Sequence, residues 1–273
     1  MAELKYVGRD VQRNDIVEKS SGRMKYMGDR MQGGAAHARL LLSPIARGRV
    51  VSFDASEAER IPGVLRVFSP KDDPGKRFNS ALFLPDQTDL QDHPVFTDKP
   101  LFVGDIVGAV LAKDEETART AAAAVKIGFE EEAPLLDMEQ AALPQTPSFR
   151  EGMPQVVEGK IAYGEESLPG DTIILESVVR TQKIHHGAME NHICEARMEY
   201  GGVLLVETPC QMAFTVRYVL ADLFDIPFNK VRVVKTPVGG AFGGKQEVGI
   251  EPHCALMALK TGLPVRLALD RTQ

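Results

Sequence analysis

The stretch VRVVKTPVGGAFGGKQEVGIEPHCALMALKTGLPVRLAL, residues 231–269, decides the fold of the second half of the chain. A β-branched run opens it and predicts a strand. Four glycines in six positions at 239–244 then predict a loop. An apolar period over 250–261 predicts a helix that Gly262 ends, and 265–269 predict a further strand. The order strand, glycine-rich loop, helix and strand follows.

The residues before this stretch predict two strands and a helix. Residues 173–179 and 203–206 are apolar, β-branched runs of strand length. The helix ends before Pro227 and presents one apolar face at the spacing i, i+3, i+4, i+7, formed by Val216, Val219, Leu220 and Leu223.

The first half of the chain predicts a second module, over about 20–140. Residues 105–112 form a buried strand, and Asp114 caps a helix that runs to Ala124. Further strands are predicted at 50–53, 64–68 and 125–129. Prolines and glycines interrupt every hydrophobic period between the two halves. The predicted organisation is a domain at 10–145, a linker at 146–170 and a second domain at 171–273, which we expect to be truncated at Gln273.

Composition and charge exclude several classes of function. The 273 residues are 44% hydrophobic and 26% charged, as in ordinary globular proteins. The net charge is −6 and the basic residues are scattered, so nucleic acid is not an expected partner. The three cysteines are widely spaced, which predicts neither a disulfide framework nor an iron–sulfur or zinc site. No apolar run is long enough to cross a bilayer, and we expect a cytoplasmic protein without membrane contact.

The glycine-rich loop at 239–245 is the strongest candidate for chemistry. Glycines let backbone N–H groups approach an anion without Cβ interference. A tight structural turn is the simpler alternative. The spacing Gly239 to Gly244-Lys245 also fits the phosphate loop of nucleotide-binding proteins, although Gln246 replaces the hydroxyl residue that holds magnesium there. A nucleotide binder therefore stays open at this point.

A histidine cluster is the second candidate. His185, His186, Glu190 and His192 lie close in the sequence, but their spacing matches no zinc signature. We interpret them as structural residues and expect no direct protein ligand to a metal. The isolated His37, His93 and His253 are interpreted in the same way.

The order of motifs resembles the molybdenum-binding subunit of the xanthine dehydrogenase and aldehyde oxidase family. The residues Lys19, Gly22, Tyr26 and Asp29, followed by Ser43-Pro44 and 104–107, are similar to the family's a/b hammerhead domain. Residues 186–192, 208–211 and 239–245 are similar to the start of its molybdopterin-binding domain. The resemblance implies an α+β fold made of these two parts.

The resemblance also assigns roles to residues. Gln211 corresponds to a glutamine whose amide hydrogen-bonds an oxygen on molybdenum. Phe242 and Gln246 correspond to substrate-facing positions, and Gln246 replaces the glutamate of animal purine hydroxylases. The family's catalytic glutamate base has no counterpart in the chain. The loop corresponds to the family's cofactor-binding residues, here Gly240, Ala241, Phe242, Gly243 and Gly244.

The family's reaction is hydroxylation of an N-heterocycle or an aldehyde with oxygen from water. The implied cofactor is molybdenum-molybdopterin, either plain or as a dinucleotide. Iron–sulfur clusters and FAD are expected on partner subunits, and the remainder of the molybdenum subunit and a homodimeric complex are further expected partners. The alternative is a non-catalytic scaffold or a split subunit that needs a C-terminal partner.

Overall fold

The computed structural model describes residues 4–30, 33–81, 91–149, 161, 163–164, 170–173 and 175–273. Most of the predicted linker over 146–170 lies outside these residues. The strands are β1 (Ala36–Leu42), β2 (Gly48–Asp54), β3 (Val64–Phe68), β4 (Ile106–Ala112), β5 (Lys126–Glu131), β6 (Ile193–Glu199), β7 (Val203–Thr208), β8 (Val231–Lys235) and β9 (Val265–Ala268). The α-helices are α1 (Ile16–Ser20), α2 (Ser56–Glu59), α3 (Glu115–Ala124), α4 (Met138–Ala141), α5 (Ala213–Leu223) and α6 (Glu251–Thr261).

A seven-stranded sheet runs through both predicted domains, in the order β3-β4-β1-β9-β6-β7-β8. The two halves meet where β1 pairs parallel to β9, with Ala36 opposite Val265. β7 and β8 are also parallel, and the other pairs are antiparallel. This mixture of pairings, with helices packed on the sheet, confirms the predicted α+β class. The domain boundaries stay a prediction, because the two halves share this sheet.

The predicted strand, helix and strand of the first half are present, but the two strands belong to different sheets. The Asp114 carboxylate accepts a hydrogen bond from the Thr117 N–H at 2.7 Å, which confirms the predicted helix cap. Ala118 and Ala121 on α3 are buried. β5 pairs with β2 in a separate two-stranded sheet, while β4 lies inside the large one.

The two long helices of the second half pack their predicted apolar faces into the main core. On α5, Val216, Val219, Leu220 and Leu223 are all buried. α6 is buried over most of its length and ends at Gly262, whose φ of 71° is a left-handed cap that favours glycine. These helices cover the sheet beside the glycine-rich loop.

The sequence did not predict β1 and β6, and one predicted strand is wrong. β6 carries Glu195, which is buried and forms an ion pair with Arg266, and Arg197, which contacts Glu207 at 2.8 Å. These charged residues obscured the strand pattern, and the ion pair with Arg266 compensates for the burial of Glu195. Conversely, the described residues of 173–179 form no strand and are exposed, because no neighbouring strand pairs with them.

His253 is a buried, uncharged base on α6. Its ring packs edge-on against Phe96, with the ring centroids 5.8 Å apart. Removal from water lowers its pKa to about 4. An unfolded histidine has a pKa of about 6.5, so acid protonates the unfolded chain first and favours unfolding.

We expect the free energy of unfolding to fall by about 2 kcal/mol between pH 7 and pH 5 through His253 alone. The stabilisation is complete above pH 6.5 and is lost as the pH falls toward 4. Urea unfolding at both pH values measures this difference, and His253→Gln is expected to remove most of it. The exposed His185→Gln is the control. An equally steep pH dependence in His253→Gln contradicts the assignment.

Candidate functional site

The loop at 239–245 has a backbone shape that requires glycine at two positions. Gly240 and Gly243 have φ angles of 104° and 91°. Phe242 also has a positive φ, of 51°, which costs a residue with a Cβ about 1–2 kcal/mol. The residue is 76% exposed. The loop thus presents an aromatic side chain outward on a constrained backbone.

The segment before β6 packs against the loop and forms hydrogen bonds with it. The Glu190 N–H donates to the Gly239 carbonyl at 3.1 Å, and a ring nitrogen of His192 lies 2.8 Å from the Gly244 carbonyl. A Cβ on Gly239 would lie 2.7 Å from the Cβ of Glu190, and one on Gly244 would lie 2.9 Å from the ring of His186. These glycines therefore permit a close approach that larger residues prevent.

Lys245 is buried at the end of the loop. Its side chain is 3% exposed, and its ammonium group lies 2.7 Å from Oε2 of Glu190. A phosphate-binding lysine must be free to meet an anion, whereas this one is already neutralised inside the protein. The nucleotide-binding alternative is therefore disfavoured, because the structure commits Lys245 to Glu190.

The segment at 208–211 meets the loop directly. The Gln211 N–H donates to the Lys245 carbonyl at 2.7 Å. The Thr208 hydroxyl donates to Oε1 of Glu251 at 2.7 Å, which ties the same segment to the start of α6. The side-chain oxygen of Gln211 is buried and has no hydrogen-bond partner among the described residues. The fold thus brings together the two segments that the sequence singled out.

Cys210, next to Gln211, is not an activated thiol. Burial raises its pKa to about 11, so it is protonated at neutral pH. Within the described residues, no three His, Cys, Asp or Glu side chains are placed to hold a metal ion. His186, Glu190 and His192 contact the loop, and His185 packs against His186.

A cavity of about 300 Å³ lies between the loop and the segment that supports it. Its lining includes His186, Asn191, Ala241, Gly244 and Arg271. Gln211 does not line it, and Gln246 is half-buried, with its N–H donating to the Gly243 carbonyl at 3.1 Å. The cavity and the Gln211 amide are therefore two separate features of the loop's surroundings.

The residues around the loop fit a bulky ligand with polar edges. The buried, unpartnered carboxamide oxygen of Gln211 costs free energy unless a further group pairs with it or with the amide after a flip. A Cβ on Gly240 would lie 3.4 Å from Ala188 on one side and from the Phe242 ring on the other. Glycine keeps the backbone accessible to a flat ligand. These observations fit the pterin-based cofactor that the sequence suggested.

Two family descriptions match the chain. Residues 21–133 match the a/b hammerhead domain of aldehyde oxidase and xanthine dehydrogenase, and residues 149–273 match the molybdopterin cofactor-binding domain. The chain belongs to the molybdenum hydroxylase family. The predicted order of a hammerhead part followed by a molybdopterin-binding part is confirmed.

Individual relatives support the assignment. The chain is 32% identical to the xanthine dehydrogenase molybdenum-binding subunit of Escherichia coli O157:H7, with 96% of the chain and 36% of that protein covered. It is 27% identical to the nicotinate dehydrogenase large molybdopterin subunit of Eubacterium barkeri, with 99% and 63% covered. The quinoline 2-oxidoreductase structure from Pseudomonas putida 86 superimposes with a TM-score of 0.80 at 27% identity, over 98% of this chain and 35% of that one.

The molybdenum hydroxylase chain thus spans about a third of the length of the E. coli relative. Among its described residues, none of the helices is both long and apolar enough to cross a membrane. Sequence reasoning missed Glu190 and His192 as supports of the loop, because the hydrogen bonds join residues about 50 positions apart. Their place in a cluster of histidines was the available signal, and it predicted a structural role without indicating which segment the cluster contacts.

Proposed function

We propose that the chain forms one wall of the cofactor site of a xanthine dehydrogenase-like molybdenum hydroxylase. The reaction class is hydroxylation of an N-heterocycle or an aldehyde with oxygen from water. The observation that carries the proposal is the hydrogen bond from the Gln211 backbone N–H to the Lys245 carbonyl. It sets beside the glycine-rich loop a side chain whose oxygen is buried and has no hydrogen-bond partner among the described residues. The match to a molybdopterin cofactor-binding domain supports it.

Each residue has a distinct proposed task. The cofactor, when bound, supplies the redox metal that accepts the electrons of the reaction. Gln211 would hydrogen-bond an oxygen of the cofactor from a fixed position, so little reorganisation is needed as charge develops. Residues 240–244 would lie against the pterin. The exposed Phe242 ring would exclude water, and Gln246 would contact the substrate.

The remaining parts of the site are proposed to come from other polypeptide segments. No residue of this chain is assigned as the general base. An extended, apolar segment offers a contact surface for the remainder of the molybdenum subunit, since Leu175, Val178 and Ile184 are 83–90% exposed. Iron–sulfur and FAD subunits, a homodimeric complex, a dinucleotide form of the cofactor and a cytoplasmic location stay predictions.

A scaffold or split subunit is the second candidate. The exposed apolar segment is compatible with it, because this surface suits a partner chain whether or not catalysis occurs. The E. barkeri relative is named as the large molybdopterin subunit of a nicotinate dehydrogenase, which supports a chain that works within an assembly.

Metal and pterin analysis of the assembled protein separates these candidates. The chain is co-expressed with its C-terminal partner, and the purified complex is tested for molybdenum and for the fluorescence of oxidised pterin. We expect both in about equal amounts. A well-folded complex that contains neither supports the scaffold and contradicts the hydroxylase. Release of hydroxylated product from a panel of N-heterocycles and aldehydes then identifies the substrate class.

A further inference from the structure

One carboxylate oxygen of Glu190 holds both ends of the glycine-rich loop. Oε2 accepts a hydrogen bond from the Gly239 N–H at 2.8 Å and from the Lys245 ammonium at 2.7 Å. The backbone N–H of Glu190 donates in turn to the Gly239 carbonyl. The first and last residues of the loop are therefore tied to a single side chain.

These bonds lie in a protected environment. Lys245 and Glu190 are 3% and 12% exposed, so water competes weakly for either group. Charge-assisted hydrogen bonds of this kind are shorter and stronger than those between neutral groups. The contact with Gly239 also constrains the backbone immediately before the positive φ angle of Gly240.

The ion pair and the backbone bond have different consequences. Neutralising Lys245 maintains the folded state, since an unpaired buried charge is costly. The bond to the Gly239 N–H constrains the backbone at the first residue of the loop, immediately before Gly240.

We propose that Glu190 is a positioning residue, which holds the loop at 239–245 in its ligand-accepting shape through the Gly239 N–H. The proposal rests on the proposed function for the identity of the ligand. Glu190 acts through the loop backbone and contacts no reacting atom. Its second oxygen, Oε1, is buried and has no hydrogen-bond partner among the described residues. The side chain therefore bonds the loop through Oε2.

Two double variants of the assembled protein separate positioning from packing. Both E190Q/K245M and E190M/K245M remove the ion pair and leave no buried charge. Only the glutamine retains an oxygen that accepts a hydrogen bond from Gly239. If E190M/K245M does not fold, E190A/K245M makes the same comparison.

The first readout is backbone hydrogen exchange of the loop, which needs no bound cofactor. We expect exchange at Gly239 to be about 10- to 100-fold faster in E190M/K245M than in E190Q/K245M. The second readout is molybdenum content per chain, which we expect to fall about 10-fold in E190M/K245M and to be retained in E190Q/K245M. KM, measured on the fraction that retains the metal, is expected to be unchanged.

Equal exchange rates and equal molybdenum content in the two double variants overturn the proposal and leave Glu190 a packing residue. If the unsubstituted protein holds no molybdenum, the proposed function fails, while the exchange comparison still decides whether Glu190 positions the loop.

Discussion

Replacing Gln211 by alanine is expected to slow turnover of the assembled enzyme by about 10- to 1000-fold, as the loss of a fixed hydrogen-bond donor at a reacting centre does. The side-chain oxygen of Gln211 is buried, and its backbone N–H is bonded to the Lys245 carbonyl, so we expect the position of the carboxamide not to depend on the substrate. The change falls in kcat, because the interaction strengthens as charge develops.

Steady-state kinetics per mole of bound molybdenum measures the effect. Gln140→Ala is the matched control, since that side chain is exposed on the short helix α4. We expect the control to keep the activity of the unsubstituted enzyme. Unchanged kinetics in Gln211→Ala would remove this residue from the site, even if the fold assignment holds.

Replacing Lys245 by methionine is expected to lower the free energy of unfolding by about 3–5 kcal/mol. The Glu190 carboxylate, 12% exposed, then stays charged without its partner or must take up a proton. The loss of stability comes from the Glu190 carboxylate that is left buried without a partner. The double variant E190Q/K245M removes this charge and is therefore expected to recover most of the lost free energy of unfolding.

Urea unfolding compares Lys245→Met with Lys126→Met. Lys126 pairs with Glu57 where both side chains are more than half exposed, and its loss is expected to cost less than about 1 kcal/mol. Equal effects of the two substitutions would contradict the burial argument. ATP binding offers an independent check, because a nucleotide loop needs its lysine: we expect neither the unsubstituted chain nor Lys245→Met to bind ATP tightly.

Local signals predicted much of the fold. Asp114 before two glutamates predicted α3, and the apolar spacing of Val216, Val219, Leu220 and Leu223 predicted α5, because both patterns depend on neighbours within a few residues. The strands of the sheet were harder to predict from the sequence. The charged residues Glu195 and Arg197 hide the strand pattern of β6. Their partners, Arg266 and Glu207, lie on the strands that flank β6 in the sheet, which the local sequence does not reveal.

The candidate site divides in the same way. The loop could be predicted from the sequence because backbone positions with positive φ angles favour glycine, and the loop is therefore rich in glycine. The role of Glu190 could not be predicted in this way, since its contacts with Gly239 and Lys245 join residues about 50 positions apart. The strand predicted at 173–179 is wrong for a related reason: β-branched residues favour a strand only where another strand pairs with them.

Anomalous diffraction at the molybdenum edge from crystals of the assembled protein tests the central claim most directly. The loop at 239–245 and the Gln211 carboxamide are expected to adjoin a single anomalous peak, with pterin density against Gly240 and Gly243. A molybdenum peak remote from both segments, or a folded complex whose loop contacts no cofactor, would contradict it.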